Sequence, residues 1–257
     1  MKTNRKCAYC SSPDQLTREH IFPSSIIKCY ENDMLSLNDK TKRTFKSDLV
    51  VKDVCKTCNN GVLSQLDGKL LDVYKEHMHQ DIMPGEAAEL EYKYNDLFRV
   101  LLKISFNSAR ASSDGIRATK ALKTYVPFIM GQAKLPKDSM LRLQILTSSK
   151  KLNTATNQTE GTLDVRLLRS CKIQYSGAFK SSFIVRLIAF NNYWFYMILP
   201  TKKVTEVKKS VFLEDFKNIG IQPGIELTKD TENIKIPVEK TTYLHPALLS
   251  SMVRDHA

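Results

Sequence analysis

The sequence predicts an α+β fold in two parts: a small metal-stabilised N-terminal module, then a larger domain of helices and antiparallel strands. Three observations carry this. Two Cys-x-x-Cys knuckles, Cys7-Ala-Tyr-Cys10 and Cys55-Lys-Thr-Cys58, stand in the first quarter of the chain. Apolar residues then recur with helical period over 62–74 and 97–111. Beyond position 140 the period changes to two, as half-buried strands require.

The elements follow in order. After Asn59, the residues Val62, Leu63, Leu66, Leu70, Leu71 and Tyr74 share one helical face, and the helix is expected to run to about His79, with Pro84-Gly85 as the stop. Lys69 and Lys75 on this stretch are candidate phosphate-backbone contacts. His77 and His79, two residues apart, point in different directions on a helix and make a poor metal pair, although His77 can approach a phosphate. A second helix is expected over Leu97–Ala111, with Leu97, Val100, Leu101, Ile104 and Phe106 apolar and Arg99, Lys103 and Arg110 basic. A short third helix is expected over Ile116–Gly131, broken near Pro127. Strands are expected at Leu141–Thr147, Thr162–Tyr175, Ser182–Phe190 and Tyr193–Leu199. Asn191-Asn192 reads as the hairpin turn between the last two, because asparagine tolerates positive φ. Trp194 and Phe195 beside it read as core rather than as a base-stacking platform. Val211–Ile219 before Gly220 and Leu244–Val253 are expected to be helical. Pro84-Gly85-Glu86 breaks the pattern, so the expected domains are residues 1–82 and 83–257.

Composition bounds the partners. The 257 residues include 39 basic and 27 acidic ones, for a net charge of +12 and a pI near 9.3, which suits a phosphate-rich partner. Lys150-Lys151, Lys202-Lys203 and Lys208-Lys209 are basic pairs in expected loops. Hydrophobic residues make up 42% and charged ones 26%, as in ordinary globular chains. No stretch approaches the roughly 20 apolar residues of a membrane helix, and no secretory leader is visible, so the expected location is the cytoplasm. There is no internal repeat, phosphate-cradling glycine loop or dinucleotide-binding fingerprint.

The cysteines carry the chemistry. Each knuckle places two thiolates on one tight turn, and two knuckles complete a tetrahedral four-sulfur site that suits structural Zn2+. A single knuckle has competing explanations, a redox pair or chance; two in order are a metal pattern. Forty-four positions, 11 to 54, separate them, more than the 12–20 or so of a simple ribbon or finger, so something is built in between. Cys29 and Cys171 read as ordinary packing residues. Between the knuckles lies Glu19-His20-Ile21-Phe22-Pro23, and Asn59 directly follows the last cysteine. A zinc-folded module would bring this acid–histidine pair and the asparagine together. A carboxylate, a histidine and an asparagine around a divalent cation form a phosphodiester-cutting site. The cation offsets charge on the phosphate. Imidazole, with an ordinary pKa of about 6.5, suits the base near neutral pH.

These motifs, Leu16-Thr17-x-Glu19-His20-Ile21-x-Pro23 between the knuckles and Cys55-x-x-Cys58-Asn59-Asn60 after them, resemble the zinc-knuckle HNH endonucleases of the ββα-metal fold, in particular a bacterial subgroup found in restriction-like and phage-defence settings. The resemblance covers residues 5–80. It implies His20 as general base, Glu19 and Asn59 as ligands of a catalytic Mg2+ or Mn2+, and DNA in preference to RNA as substrate. Glu19 stands where the family usually has aspartate. The middle asparagine of the motif is not cleanly assignable: Asn38 and Asp48 are candidates, with Asn60 and His77 as further possible support. The competing reading is a catalytically silent, zinc-stabilised nucleic-acid-binding adaptor in a larger complex. A third is an effector held silent until a protein partner in a defence system arrives. A self-association surface is not legible.

Overall fold

Leu16–His20 and Val50–Cys55 both combine β-branched and apolar residues with polar ones, and in the computed structural model they pair antiparallel. The structure describes residues 5–33, 36–38, 43–45, 49–111, 115–152, 156, 158–163, 165–175, 181–218 and 222–239. The chain forms two compact units, neither of which is one continuous stretch. The first draws its described residues from Met1–Glu76, Tyr92–Lys137 and Ser170–Lys172; the second draws its described residues from His77–Glu91, Asp138–Arg169 and the chain from Ile173 on. The division expected at residue 82 is therefore crossed. The long helix Tyr94–Ala111 belongs with the cysteines, because its inner face carries the partners of their strand pair.

In the first unit, the strand pair has the register Leu16↔Cys55, Thr17↔Val54, Glu19↔Val51 and His20↔Val50, with a bulge at which Lys52 and Asp53 oppose the single residue Arg18. Short helical turns, Ser24–Ile27 and Lys28–Asp33, follow the first strand. A small antiparallel pair, Ser36–Asn38 with Arg43–Phe45, precedes the second. The chain then turns at Cys55 straight into helix: Lys56–Cys58, a widened turn Asn59–Leu63 kinked at Gly61, and Ser64–Val73, with Leu63, Leu66 and Leu70 buried. A further turn, Tyr74–Met78, ends the run at the expected place. The long helix Tyr94–Ala111 is buried on nearly all sides, Leu97–Phe98 and Val100–Ala109 being inaccessible. The expected third helix is two pieces, Gly115–Lys123 and Val126–Ile129, with Pro127 inside the second piece, near its start, where a missing N–H costs nothing.

A five-stranded sheet has the order Ile225–Leu227, Met140–Ile145, Tyr193–Pro200, Phe183–Phe190, Leu168–Ile173, and its first four strands form the base of the second unit. The stretch expected as one strand over Thr162–Tyr175 is two, Thr159–Leu163 and Leu168–Ile173; the former pairs with Ser149–Leu152. Phe183–Phe190 and Tyr193–Pro200 are inaccessible along almost their whole length, so their apolar runs show no alternation. Trp194 and Phe195 are core, as read from the sequence. Helix Glu206–Asn218 sets Phe212 and Phe216 against Tyr175 and Phe183, with ring centroids 4.4 Å apart for Phe183–Phe212. Gly224 has φ of +69°, and a Cβ there would collide with the Leu143 carbonyl, so this edge of the sheet depends on glycine. A separate antiparallel pair, Ala87–Glu91 with Asn233–Pro237, completes the unit. The expected helix Leu244–Val253 lies outside the described residues. Among the described residues no helix is long and apolar enough to cross a membrane.

The turn Asn191-Asn192 is present, with Asn191 at φ of +50°. It does more than turn the chain. Buried Asn192 donates through Nδ2 to the carbonyls of Leu146 (2.7 Å) and Ile82 (3.1 Å), and its Oδ1 accepts from the Ile82 N–H (3.2 Å). Asn191 Nδ2 donates to the Met78 carbonyl (2.8 Å). Asn192→Ala would orphan three buried backbone groups. At about 1–3 kcal/mol for each unsatisfied group, and with partial relaxation, the expected loss is about 3 kcal/mol, read from the midpoint of denaturant unfolding followed by Trp194 fluorescence. A change under about 1 kcal/mol would show that water replaces the side chain.

Candidate metal centre and histidine site

The first knuckle is a turn tied back on itself and onto the second strand. The Cys7 N–H donates to the Ser12 carbonyl, the Ser11 N–H to the Cys7 carbonyl, and the Ala8 N–H to the Asp53 carbonyl, all at 2.8–2.9 Å. This sets Cys7 and Cys10 against Cys55, at the end of its strand, and Cys58, one turn on. The four sulfurs lie within 4.8 Å of one another, and Cys10 and Cys55 are 3.6 Å apart. A tetrahedron with metal–sulfur bonds of about 2.3 Å has edges of about 3.8 Å, so little adjustment is needed to close it on an ion. Burial opposes ionisation of the Cys7 thiol, but N–H groups of Cys55, Cys10 and Tyr9 outweigh it and bring the thiol down to about 7. Cys58 is pushed well up, by burial first and then by the neighbouring thiols. Thiolates packed this closely need a cation to ionise together, and an all-sulfur donor set fits zinc. Cys29, whose Sγ contacts the Ser25 carbonyl at 3.3 Å, and Cys171 are not in the cluster.

Glu19 and His20 end the first strand; Glu19 is buried at 4% exposure and His20 half-buried. Asn59 reaches back from the helix to this strand. Its Nδ2 donates to Thr17 Oγ1 and to the Arg18 carbonyl, both at 2.8 Å, and Thr17 Oγ1 donates to the Val54 carbonyl at 2.9 Å. The bulge explains the second contact, since it takes Arg18 out of the regular ladder. Asn59 thus fastens the helix that carries Cys58 to the histidine-bearing strand.

The long helix supplies the rest. Lys103, wholly inaccessible, places Nζ 2.5 Å from Glu19 Oε1 and donates to Asp67 Oδ1 and Oδ2 (2.9 and 3.0 Å) and to the His20 carbonyl (3.4 Å). The approach to Glu19 is a charge contact rather than an aligned hydrogen bond. One turn on, Asn107 Nδ2 donates to the same His20 carbonyl (3.3 Å), and its Oδ1 accepts from the Tyr9 hydroxyl (2.7 Å) and from Arg110 (2.8 Å). The Arg110 guanidinium lies over the Phe106 ring at 4.4 Å and beside Asp53 at 3.5 Å. Burial pushes the Asp67 carboxyl up, opposed by the Lys103 ammonium.

Sequence reasoning named Lys103 only as a basic helix member and passed over Asp67, Asn107 and Tyr9. The available signal was Arg99, Lys103, Asn107 and Arg110 at spacings of three and four on a helix that is otherwise rich in apolar residues. One member of the expected cation pair is engaged elsewhere: the Glu19 carboxylate is turned to an ammonium and enclosed, while Asn59 is held to the strand through Nδ2, the donor end of its amide. Asn60 is exposed at the helix start. Asn38 lies in the strand Ser36–Asn38, and Asp48 lies outside the described residues. His77 belongs to the second unit, where its Nε2 accepts from the Glu91 N–H at 3.2 Å. Two candidate phosphate contacts are already paired, Lys69 with Asp96 (2.7 Å) and Lys209 with Asp138 and Glu206 (both 2.6 Å). Lys75, Lys202, Lys203 and Lys208 are exposed.

The fold and centre define an α+β protein with a four-cysteine cluster whose sulfurs are close enough to hold one metal ion. Comparison with protein-family models, curated proteins and solved structures finds no match for this chain.

Proposed function

We propose that this protein is an HNH-type endonuclease that hydrolyses nucleic-acid phosphodiesters, DNA in preference to RNA, on a module folded around structural zinc. The observation that carries this reading is the fixing of His20 at the end of a strand that is paired to the cysteine strand and clamped to the following helix by Asn59. That order of strand, strand and helix supports the ββα-metal resemblance. The His20 backbone carbonyl is held by Lys103 and Asn107, which fixes the place of the half-buried imidazole; in this reading the imidazole takes a proton from water attacking phosphorus. Arg18 and Lys52, both exposed and opposed across the bulge, and exposed Lys56 on the first helical turn put positive charge on the same elements. A role in restriction or phage defence rests on the resemblance alone.

The enclosure of Glu19 by Lys103 favours one second reading, a catalytically silent nucleic-acid-binding module. Cleavage separates the two. Zinc-loaded protein is incubated with supercoiled plasmid and with RNA in Mg2+, in Mn2+ and in EDTA. Nicking or linearisation of the plasmid is the expected result. Retarded but intact DNA across all conditions is the result the silent module gives.

A further inference from the structure

The polar interior of the first unit contains a cation of its own. Lys103 Nζ stands within 2.5–3.4 Å of four oxygens: Glu19 Oε1, both Asp67 carboxylate oxygens and the His20 carbonyl. An ammonium has three N–H donors, and the Asp67 carboxylate and the His20 carbonyl offer it three oxygen acceptors, with the Glu19 carboxylate in contact beside them. The lysine is wholly inaccessible, and Glu19 is 4% exposed. The three residues come from three separated elements: the first strand, the helix Ser64–Val73 and the long helix. The charge is therefore enclosed by the fold rather than laid over its surface.

We propose that Lys103 is the resident cation of the Glu19–Asp67 pocket, that it excludes a divalent metal ion from Glu19, and that Glu19 tethers the strand bearing His20 rather than binding a metal. A small divalent ion takes oxygen ligands at about 2.0–2.1 Å and keeps several waters. At Glu19 it would have to share one carboxylate with an ammonium in contact range, two like charges in a poorly solvated space. Lys103 cannot swing into solvent to make room, since the residues flanking it on the long helix are also inaccessible. The inference concerns the site of the nuclease reading, but it holds or fails whether or not the protein cuts DNA.

The test uses the full-length, zinc-loaded protein and Mn2+ as probe, with bound ion measured as loss of the free-ion electron paramagnetic resonance signal. Wild type and Glu19→Gln are expected to bind the same amount of Mn2+. Lys103→Met is expected to gain a site at least about tenfold tighter than any in wild type, lost again in the Lys103→Met/Glu19→Gln double variant. One Mn2+ bound by wild type and lost in Glu19→Gln would overturn the proposal, as would a folded Lys103→Met protein with no gained site. If Lys103→Met does not fold, the comparison of wild type with Glu19→Gln decides by itself.

Discussion

Cys55→Ser is expected to abolish zinc binding and to unfold the first unit. Cys55 does three things at once. Its sulfur stands 3.6 Å from that of Cys10, its N–H donates to Cys7 Sγ at 3.3 Å, and its residue is the point where the second strand becomes helix. Serine keeps the backbone but offers zinc a hard, neutral hydroxyl. Structural zinc sites in small modules are worth apparent free energies of about 10–16 kcal/mol near neutral pH, against whole-domain stabilities of about 5–15 kcal/mol. Zinc content by atomic absorption should fall from one ion per chain to none. Thermal unfolding followed by circular dichroism should lose its first-unit transition, and a strong chelator should do the same to wild type. Full zinc content with an unchanged melting curve in Cys55→Ser would sink the metal-folded module.

His20→Ala is expected to reduce DNA cleavage by about 10²–10⁴-fold, the usual contribution of a positioned base, while leaving zinc and fold in place. The fold is spared because the contacts to Lys103 and Asn107 are made by the backbone carbonyl of His20, which alanine retains. The pairing of His20 with Val50 is likewise a backbone matter. Melting temperature and zinc content should therefore match wild type within the range of an ordinary surface substitution, under about 0.5–1 kcal/mol. Cleavage undiminished in a folded His20→Ala protein would remove His20 from the chemistry. A large loss of stability would instead show the imidazole to be structural.

The two knuckles, the acid–histidine pair and the asparagine were all legible because their information is local. A Cys-x-x-Cys turn presents two sulfurs whatever surrounds it, and Asn59 follows Cys58 by covalent connection. The buried hairpin Phe183–Phe190 and Tyr193–Pro200 was legible for a similar reason: a run of β-branched and aromatic residues with Asn191-Asn192 between them has few alternatives. The double role of Asn192, capping distant Ile82 and Leu146 as well as turning the chain, was not legible, since turn chemistry says nothing about partners far along the sequence.

By itself, then, the sequence determined the α+β class and the four-sulfur cluster, each a consequence of residue type and short spacing; that His20 ends a strand came from the structure. Tertiary structure alone decided what Glu19 faces. Residues 19, 67 and 103 are far apart in the chain, and only the packing of the long helix onto the strand pair brings the ammonium within 2.5 Å of the carboxylate. The same packing moved the long helix into the first unit, across the expected division at residue 82. The physical reason is that a charge in the middle of a buried helix must find its counter-charge inside the fold, and which one it finds is set by three-dimensional placement rather than by spacing.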